Sequence, residues 1–226
     1  MKYQGLKDVE LTRTASENTH VTGADRQPTR AVQPTETKYY LNPQGQIVDV
    51  GGDWDKFAWK GQAFEATADF VIGKYLADFI EGFETVSYLN AILFVSRRST
   101  TPFQMLTRCD FGTTLRILRM EITGVENNLV RVAHTLVMER SFQELGHEAK
   151  IRDPNIGTRC SMCCNQLSNG KWVNPLADRQ RRYIATGYTV CPDCKVRARS
   201  ALERMQSPVN LLDEALNAKP RFGKTG

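Results

Sequence analysis

The sequence predicts an α+β protein in which a five-stranded antiparallel sheet carries helices on one face and a small four-cysteine metal module follows. Two observations lead to this fold class: strand-like and helix-like segments form separate groups between residues 37 and 140, and C-x2-C pairs lie at 160–163 and 191–194. With 226 residues, 41% of them hydrophobic, the chain can bury one main core and a small satellite. We therefore expect a flexible or partner-dependent leader at 1–36, the sheet domain at 37–140, a connector at 141–158, the metal module at 159–196, and C-terminal helices with a tail at 197–226.

The first predicted elements are a hairpin and a short helix. Residues 1–36 are polar and lack apolar periodicity, so the folded part is expected to begin after them. The stretch TKYYLNPQGQIVDV then offers two strand-like runs separated by the turn-forming residues 42–45. Asp53 is expected to cap a short helix that ends at Gly61.

A longer helix and three strands complete the predicted sheet domain. ETVSYLNAILFVSRRS carries apolar side chains at helical spacing and predicts a largely buried helix. Three strand-like segments follow it: PFQMLTRCDF, TTLRILRMEITGV and NNLVRVAHTLV. Two strands, a group of helices and three further strands predict an antiparallel sheet covered on one face by helices.

Several phrases in this domain resemble a known family. GGDWDKFA resembles the first helical region of PAS domains, VIGKYLADFI their "GkplxdFi" turn and helix, and RCDFGTTLRILRMEI the paired strands of a bacterial subgroup. Together with the order of the elements, residues 38–139 therefore resemble the PAS fold. The resemblance implies a sensory or protein-interaction module whose helices and sheet enclose a pocket, for a ligand that the sequence does not identify.

The cofactors used by some PAS domains are not expected here. Light-sensing flavin-binding members carry a reactive cysteine in a helical motif, and residues 67–84 contain no cysteine. Haem-binding members generally supply a histidine from the long helix, and residues 84–99 contain no histidine. His134 lies on the last predicted strand, where we expect a structural or surface residue rather than an iron ligand.

Cys109, in TRCDF, is expected to be a small buried strand residue rather than a reactive thiol, because reactivity needs both exposure and a lowered pKa. Its neighbours Arg108 and Asp110 are expected to form a surface ion pair that contributes little to stability.

The two cysteine pairs predict a metal site. CSMC and CPDC are separated by 27 residues, so both can fold around one ion. Zinc accepts four thiolates tetrahedrally and has no redox role, and each short C-x2-C turn lets two sulfurs reach the same ion. We expect Cys160, Cys163, Cys191 and Cys194 to bind a structural zinc ion.

Other chemistries remain open at this site. Four thiolates also suit an iron–sulfur cluster, and CPDC alone has the form of a redox dithiol. Cys164 is expected to be a bystander that leaves the turn in another direction, although C-x3-C spacing would also allow it to replace Cys163 as a ligand.

The rest of the module and the C-terminus have recognisable local signals. SNGKW has the Asn-Gly pair of a tight hairpin turn, with Trp172 as an apolar anchor. The whole stretch 160–194 resembles a CxxC...CPxC module at the C-terminal end of bacterial PAS and response-regulator proteins, but departs from it in Cys164 and the basic DRQRRY run. KVRARSALERMQ and SPVNLLDEALNA predict two helices, the second with an apolar stripe for the protein's own core, self-association or a partner.

Charge and compartment limit the possible partners. The net charge is +5, and residues 141–226 carry 14 Lys and Arg against 8 Asp and Glu, so the surplus is C-terminal. A nucleic-acid contact would draw on these six side chains: Arg179, Arg181, Arg182, Lys195, Arg197 and Arg199. The longest apolar run, AILFV, is far too short to span a bilayer, and the N-terminal sequence has no secretory pattern, so we expect a soluble cytoplasmic protein.

These observations favour a non-catalytic signalling or regulatory protein. In this hypothesis the PAS-like domain senses a ligand or binds a protein partner or a second copy, and the zinc module supports a C-terminal interaction surface. The alternative is a zinc-containing transcriptional regulator that binds nucleic acid through its basic C-terminal region. No enzyme is expected, because the sequence has no G-x-S-x-G, P-loop, HExxH or dinucleotide motif and four cysteines leave zinc no open position.

Overall fold

The computed structural model describes residues 35–61, 63–111, 114–142, 155–176 and 183–206. The predicted leader lies outside these residues except for its last two positions, and the second predicted C-terminal helix lies outside them entirely. In the described part of the chain, no helix is long and apolar enough to cross a membrane.

Five strands form the first sheet, and every neighbouring pair is antiparallel. The strands are β1 (Glu36–Leu41), β2 (Ile47–Gly52), β3 (Phe103–Phe111), β4 (Thr114–Val125) and β5 (Leu129–Ser141). Their order across the sheet is β2-β1-β5-β4-β3, so β3 is an edge strand. The five-stranded antiparallel sheet predicted from the sequence is confirmed.

The predicted hairpin between β1 and β2 is confirmed by its turn. The Asn42 side-chain oxygen accepts hydrogen bonds from the backbone N–H groups of Gln44 and Gln46, at 3.0 and 2.9 Å. Gly45 has a φ of +85°, a conformation that a residue with a side chain rarely adopts. Asn42 therefore provides the side-chain hydrogen bonds, and Gly45 the positive φ, that this turn requires.

Helices connect β2 to β3 and cover the inner face of the sheet. They are α1 (Trp54–Lys60), α2 (Ala68–Val71) and α3 (Phe83–Ser96), with single 3₁₀ turns at Phe64–Ala66 and Leu76–Phe79. Asp53 occupies the N-cap position of α1 and Gly61 its C-cap, as predicted, but the Asp53 side chain makes no capping hydrogen bond. Its carboxylate instead lies 3.8 Å from the Lys56 ammonium group.

A second, smaller sheet contains the cysteine pairs. Its strands are β6 (Asn155–Cys160), β7 (Gln166–Ser168), β8 (Lys171–Val173) and β9 (Tyr183–Thr189), in the order β8-β7-β6-β9. Strands β6 and β9 are parallel, whereas β7 and β8 form the hairpin predicted from SNGKW, with positive φ at Asn169 and Gly170. Strand β6 begins inside the segment expected to be a connector, because it pairs with β9 there.

One long helix, α4 (Pro192–Gln206), follows the second sheet and contains the predicted segment KVRARSALERMQ. Its buried residues Ala198, Ala201 and Met205 belong to the same apolar cluster as Phe103 and Ile122 of the first sheet. The two sheets therefore share one continuous core.

Candidate metal centre and adjoining pocket

Four cysteines meet where the two sheets join. Cys160 ends β6 and Cys163 lies in the turn that follows, while Cys191 immediately precedes α4 and Cys194 lies in its first turn. All four sulfur atoms lie within 4.8 Å of one another. These are the four residues predicted as ligands, and the fold brings them to one point.

The sulfur geometry suits one tetrahedral ion. The Cys160 and Cys194 sulfurs are 3.8 Å apart, and those of Cys163 and Cys191 are 3.7 Å apart. A tetrahedron with metal–sulfur bonds of about 2.3 Å has edges of about 3.8 Å. Four sulfurs at this spacing can therefore share a single ion. In a cluster where each thiolate binds a different iron atom, the cysteine sulfurs would have to lie farther apart.

Hydrogen bonds at the site favour deprotonated sulfur. The backbone N–H groups of Met162 and Cys191 each lie 3.4 Å from the Cys160 sulfur, which is fully buried. Hydrogen bonds from the thiols of Cys163 and Cys194 hold the pKa of Cys160 far below its usual value. The Cys160 thiolate in turn raises the pKa of Cys163 to about 12 and that of Cys194 further. Four sulfur atoms this close to one another are therefore suited to exchanging protons for a metal ion.

A cation from α4 lies against the site. The Arg197 guanidinium group is 2.8 Å from the Cys194 sulfur, where it can offset part of the charge of four thiolates. Lys195, also in the predicted nucleic-acid set, lies 3.4 Å from the Glu84 carboxylate, whereas Arg199 is exposed and has no ionic partner among the described residues. The other three members of that set, Arg179, Arg181 and Arg182, lie outside the described residues.

Cys164 turns away from the four sulfurs. It adopts a φ of +60°, and its buried thiol donates a hydrogen bond to the backbone carbonyl of Arg108 at 3.1 Å. This position agrees with the expectation that Cys164 is a bystander. It does not agree with the alternative in which Cys164 replaces Cys163 as a ligand.

The hydrogen bond of Cys164 is one of two that join the metal module to β3, and the sequence does not predict them. The backbone N–H of Arg108 donates to the carbonyl of Met162 at 2.8 Å. Both backbone groups of Arg108 at the free edge of β3 are thus paired with the turn that holds Cys160 and Cys163. This turn covers part of a sheet edge that would otherwise expose unpaired backbone groups.

Helix α3 meets the module on a second side. The Thr85 and Ser161 hydroxyl groups are 2.8 Å apart, and the Tyr88 hydroxyl lies 3.4 Å from the Cys194 carbonyl oxygen. Gly82, at the start of α3, comes so close to β9 that an added Cβ atom would lie 2.1 Å from the Tyr188 carbonyl oxygen. The module is therefore packed tightly against both the sheet edge and the long helix.

The pair formed by Arg108 and Asp110 is buried, which corrects the expected surface pair. The side chains are 8% and 9% exposed, and the guanidinium group makes two hydrogen bonds of 2.7 Å to the carboxylate. Arg108 also donates to Asn174 at 2.9 Å, and Arg159 donates to Asp110 at 3.1 Å. Because β3 contributes Arg108 and Asp110 while the module contributes Arg159 and Asn174, this network links the two units.

A pocket of about 480 Å³ lies between the first sheet, its helices and the metal module. The sheet contributes Tyr39, Leu118 and His134; the helical segments Trp54, Phe79 and Leu89; and the module Ser161, Met162 and Tyr188. Cys109, expected to be a buried strand residue, instead exposes its side chain to this pocket. Desolvation by the nearby protein raises the pKa of this thiol, so the protonated form is favoured.

His134 forms part of an aromatic wall of the pocket. Its ring is stacked with Tyr39 at a centroid distance of 6.2 Å, and Tyr39 meets Trp54 edge-to-face at 5.8 Å. Burial lowers the pKa of His134 to about 4, so the imidazole is neutral at physiological pH. The sequence placed His134 on the last strand, but its position in a pocket wall depends on the pairing of β5 with β1 and β4.

Comparison with known proteins leaves the family open. No protein-family model matches the chain, and no curated protein matches it. Among solved structures, a domain of an HTR-like protein from Haloarcula marismortui aligns with 46% of this chain and 99% of that domain. The two are 11% identical with a TM-score of 0.32, a likeness too slight to bear on fold or function.

Proposed function

We propose that this chain is a non-catalytic regulatory protein in which a PAS-like sensory or protein-binding domain is joined to a structural zinc module. The observation that carries the proposal is the meeting of four cysteine sulfurs at single-ion spacing, beside a turn that pairs with the edge of the first sheet. Four protein ligands fill the coordination sphere of zinc, so the ion has a structural rather than a catalytic role.

The PAS-like assignment is supported by the arrangement of the first sheet. Helices inserted between the second and third strands, together with a pocket between those helices and the sheet, agree with the resemblance found in the sequence. In this proposal the occupant of the pocket or a bound protein partner is the signal, and the module fixes the surface through which the signal is passed on.

Metal analysis tests the zinc part of the proposal. Protein purified without added metal should contain one zinc ion per chain, because the site is closed and largely buried. Cys160→Ser and Cys191→Ser should lose that ion. Cys109→Ser is the matched control and should keep it, since this thiol faces the pocket rather than the metal site. Folded wild-type protein without metal, or a coloured iron-containing protein, would contradict the proposal.

Co-purification tests the regulatory part. Wild-type protein and Cys191→Ser, each recovered from the native cell under the same conditions, should differ in one or a few bound proteins identified by mass spectrometry. Loss of these proteins in Cys191→Ser, but not in Cys109→Ser, is the expected result. Identical sets of bound proteins for all three would count against a module-supported interaction surface.

A further inference from the structure

We propose that the pocket binds an uncharged, largely apolar small molecule whose single polar group is held by Tyr39 and His134, and that the metal module forms one wall of this binding site. The inference rests on the pocket of the proposed function and specifies its ligand. It is based on the size of the pocket, on the ion pairs of its lining, and on two polar side chains that have no hydrogen-bond partner among the described residues.

The size of the pocket suits a small organic molecule. Its volume of about 480 Å³ falls within the range of roughly 300–1,000 Å³ that is typical of ligand sites. A second depression, beside Tyr75 and Asn90, offers only about 80 Å³. That space is enough for a few water molecules, at about 30 Å³ each, and not for an organic ligand.

The three arginines that line the pocket are already paired with carboxylates. Arg108 and Arg159 both bond Asp110, and Arg116 lies 2.7 Å from Glu139 behind the wall. Glu81 is a further carboxylate of the lining, whereas Glu139 lies outside it and also pairs with Lys60 at 2.9 Å. An anionic ligand would have to compete with these ion pairs, a cationic one would meet three arginines, and either would lose its hydration, which is costly inside a protein. The pocket therefore favours a neutral molecule.

Two neutral polar side chains, Tyr39 and His134, line the pocket. Tyr39 and His134 make ring contacts with each other, but neither the hydroxyl nor the imidazole hydrogen-bonds to any described residue. A neutral imidazole offers one donor and one acceptor, and the phenol can do both. A hydroxyl, amine or carbonyl group on the ligand can therefore pair with either side chain. The rest of the molecule would contact the aromatic and aliphatic walls.

The metal module contributes a further part of the pocket wall. Ser161 and Met162 lie between the first two metal ligands and Cys164 follows the second, and all three line the pocket. The same turn is fixed to β3 by the Arg108 backbone, so its position is defined relative to the sheet. A molecule in the pocket would therefore contact both the sensory domain and the metal module.

A matched pair of fluorescent probes tests the charge requirement. N-phenyl-1-naphthylamine is neutral and carries one N–H group, whereas 8-anilinonaphthalene-1-sulfonate has the same rings with a negative charge. Titrated into the full-length protein at pH 7.5, the neutral probe should bind one per chain and at least about tenfold more tightly than the sulfonate. Equal affinities, or tighter binding of the sulfonate, would overturn the proposal.

Three variants test whether the probe binds in the pocket. Leu118→Trp fills the interior and should abolish binding, while Leu106→Trp on the outer face of the same sheet is the control and should leave it unchanged. Tyr39→Phe removes only a hydroxyl group and should weaken binding about fivefold, which keeps the test decisive if Leu118→Trp does not fold. Full binding by folded Leu118→Trp, or by Tyr39→Phe, would show that the probe lies elsewhere.

Zinc content measured on the same samples separates the two proposals. A protein that contains no zinc but binds the neutral probe with the expected selectivity would overturn the zinc module and leave the pocket assignment standing. A protein with one zinc ion that binds neither probe, or both equally, would overturn the ligand assignment and leave the zinc module standing.

Discussion

Gly82→Ala should destabilise the protein by disturbing the contact between α3 and the metal module. Gly82 has a φ of +90°, and positive φ costs a residue with a side chain about 1–3 kcal/mol. In addition, the new methyl group would lie 2.1 Å from the Tyr188 carbonyl oxygen, a backbone atom that cannot turn aside. Moving α3 away from β9 would weaken the nearby Thr85–Ser161 hydrogen bond, worth about 1 kcal/mol. We expect a total loss of about 3–5 kcal/mol in the free energy of unfolding.

Gly73→Ala separates the two causes. Gly73 has a φ of +85°, but nothing lies within 4 Å of the position where its Cβ atom would be. Gly73→Ala should therefore lose only the free energy that positive φ costs a residue with a side chain, and should remain about 2 kcal/mol more stable than Gly82→Ala. Urea unfolding of both zinc-saturated variants, followed by circular dichroism, measures the difference. Equal losses would refute the close packing of helix against module.

Three further outcomes follow from the site. Cys163→Ser should lose the bound metal, whereas Cys164→Ala should keep one ion per chain and lose about 1 kcal/mol of stability with its hydrogen bond, which metal analysis and urea unfolding can check. Arg197→Ala should weaken zinc binding about tenfold in chelator competition while Arg199→Ala does not, and equal affinities would contradict the role given to the guanidinium group. An NMR titration should give His134 a pKa near 4 rather than 6.5, because burial lowers it. The contribution of His134 to stability is therefore present above pH 6.5 and is lost as the pH falls towards 4. A midpoint near pH 6.5 would show that the ring is in water.

Local chemistry made much of the fold predictable. The turns at 42–45 and at Asn169 and Gly170 need residues that tolerate positive φ or bond their own backbone, and the sequence has them there. The five strands of the first sheet and the helices between them were likewise visible as patterns of apolar residues. The four sulfurs were visible because C-x2-C spacing is a local geometric requirement of a shared ion.

Long-range pairing was not predictable in the same way. Strands β6 and β9 are adjacent and parallel in the sheet, although the hairpin of β7 and β8 lies between them in the sequence. No short-range signal specifies that pairing. Cys164 finds its hydrogen-bond partner 56 residues earlier, at the edge of another sheet. The burial of Arg108 with Asp110 follows from this docking, so a reading of neighbouring residues alone placed the pair at the surface.

X-ray absorption at the zinc edge, on protein purified without added metal, tests the central claim most directly. We expect four sulfur neighbours at about 2.3 Å from the zinc ion and no other ligand. A shell containing nitrogen or oxygen, or a protein whose metal is iron, would contradict a closed four-cysteine zinc module at the edge of the sheet.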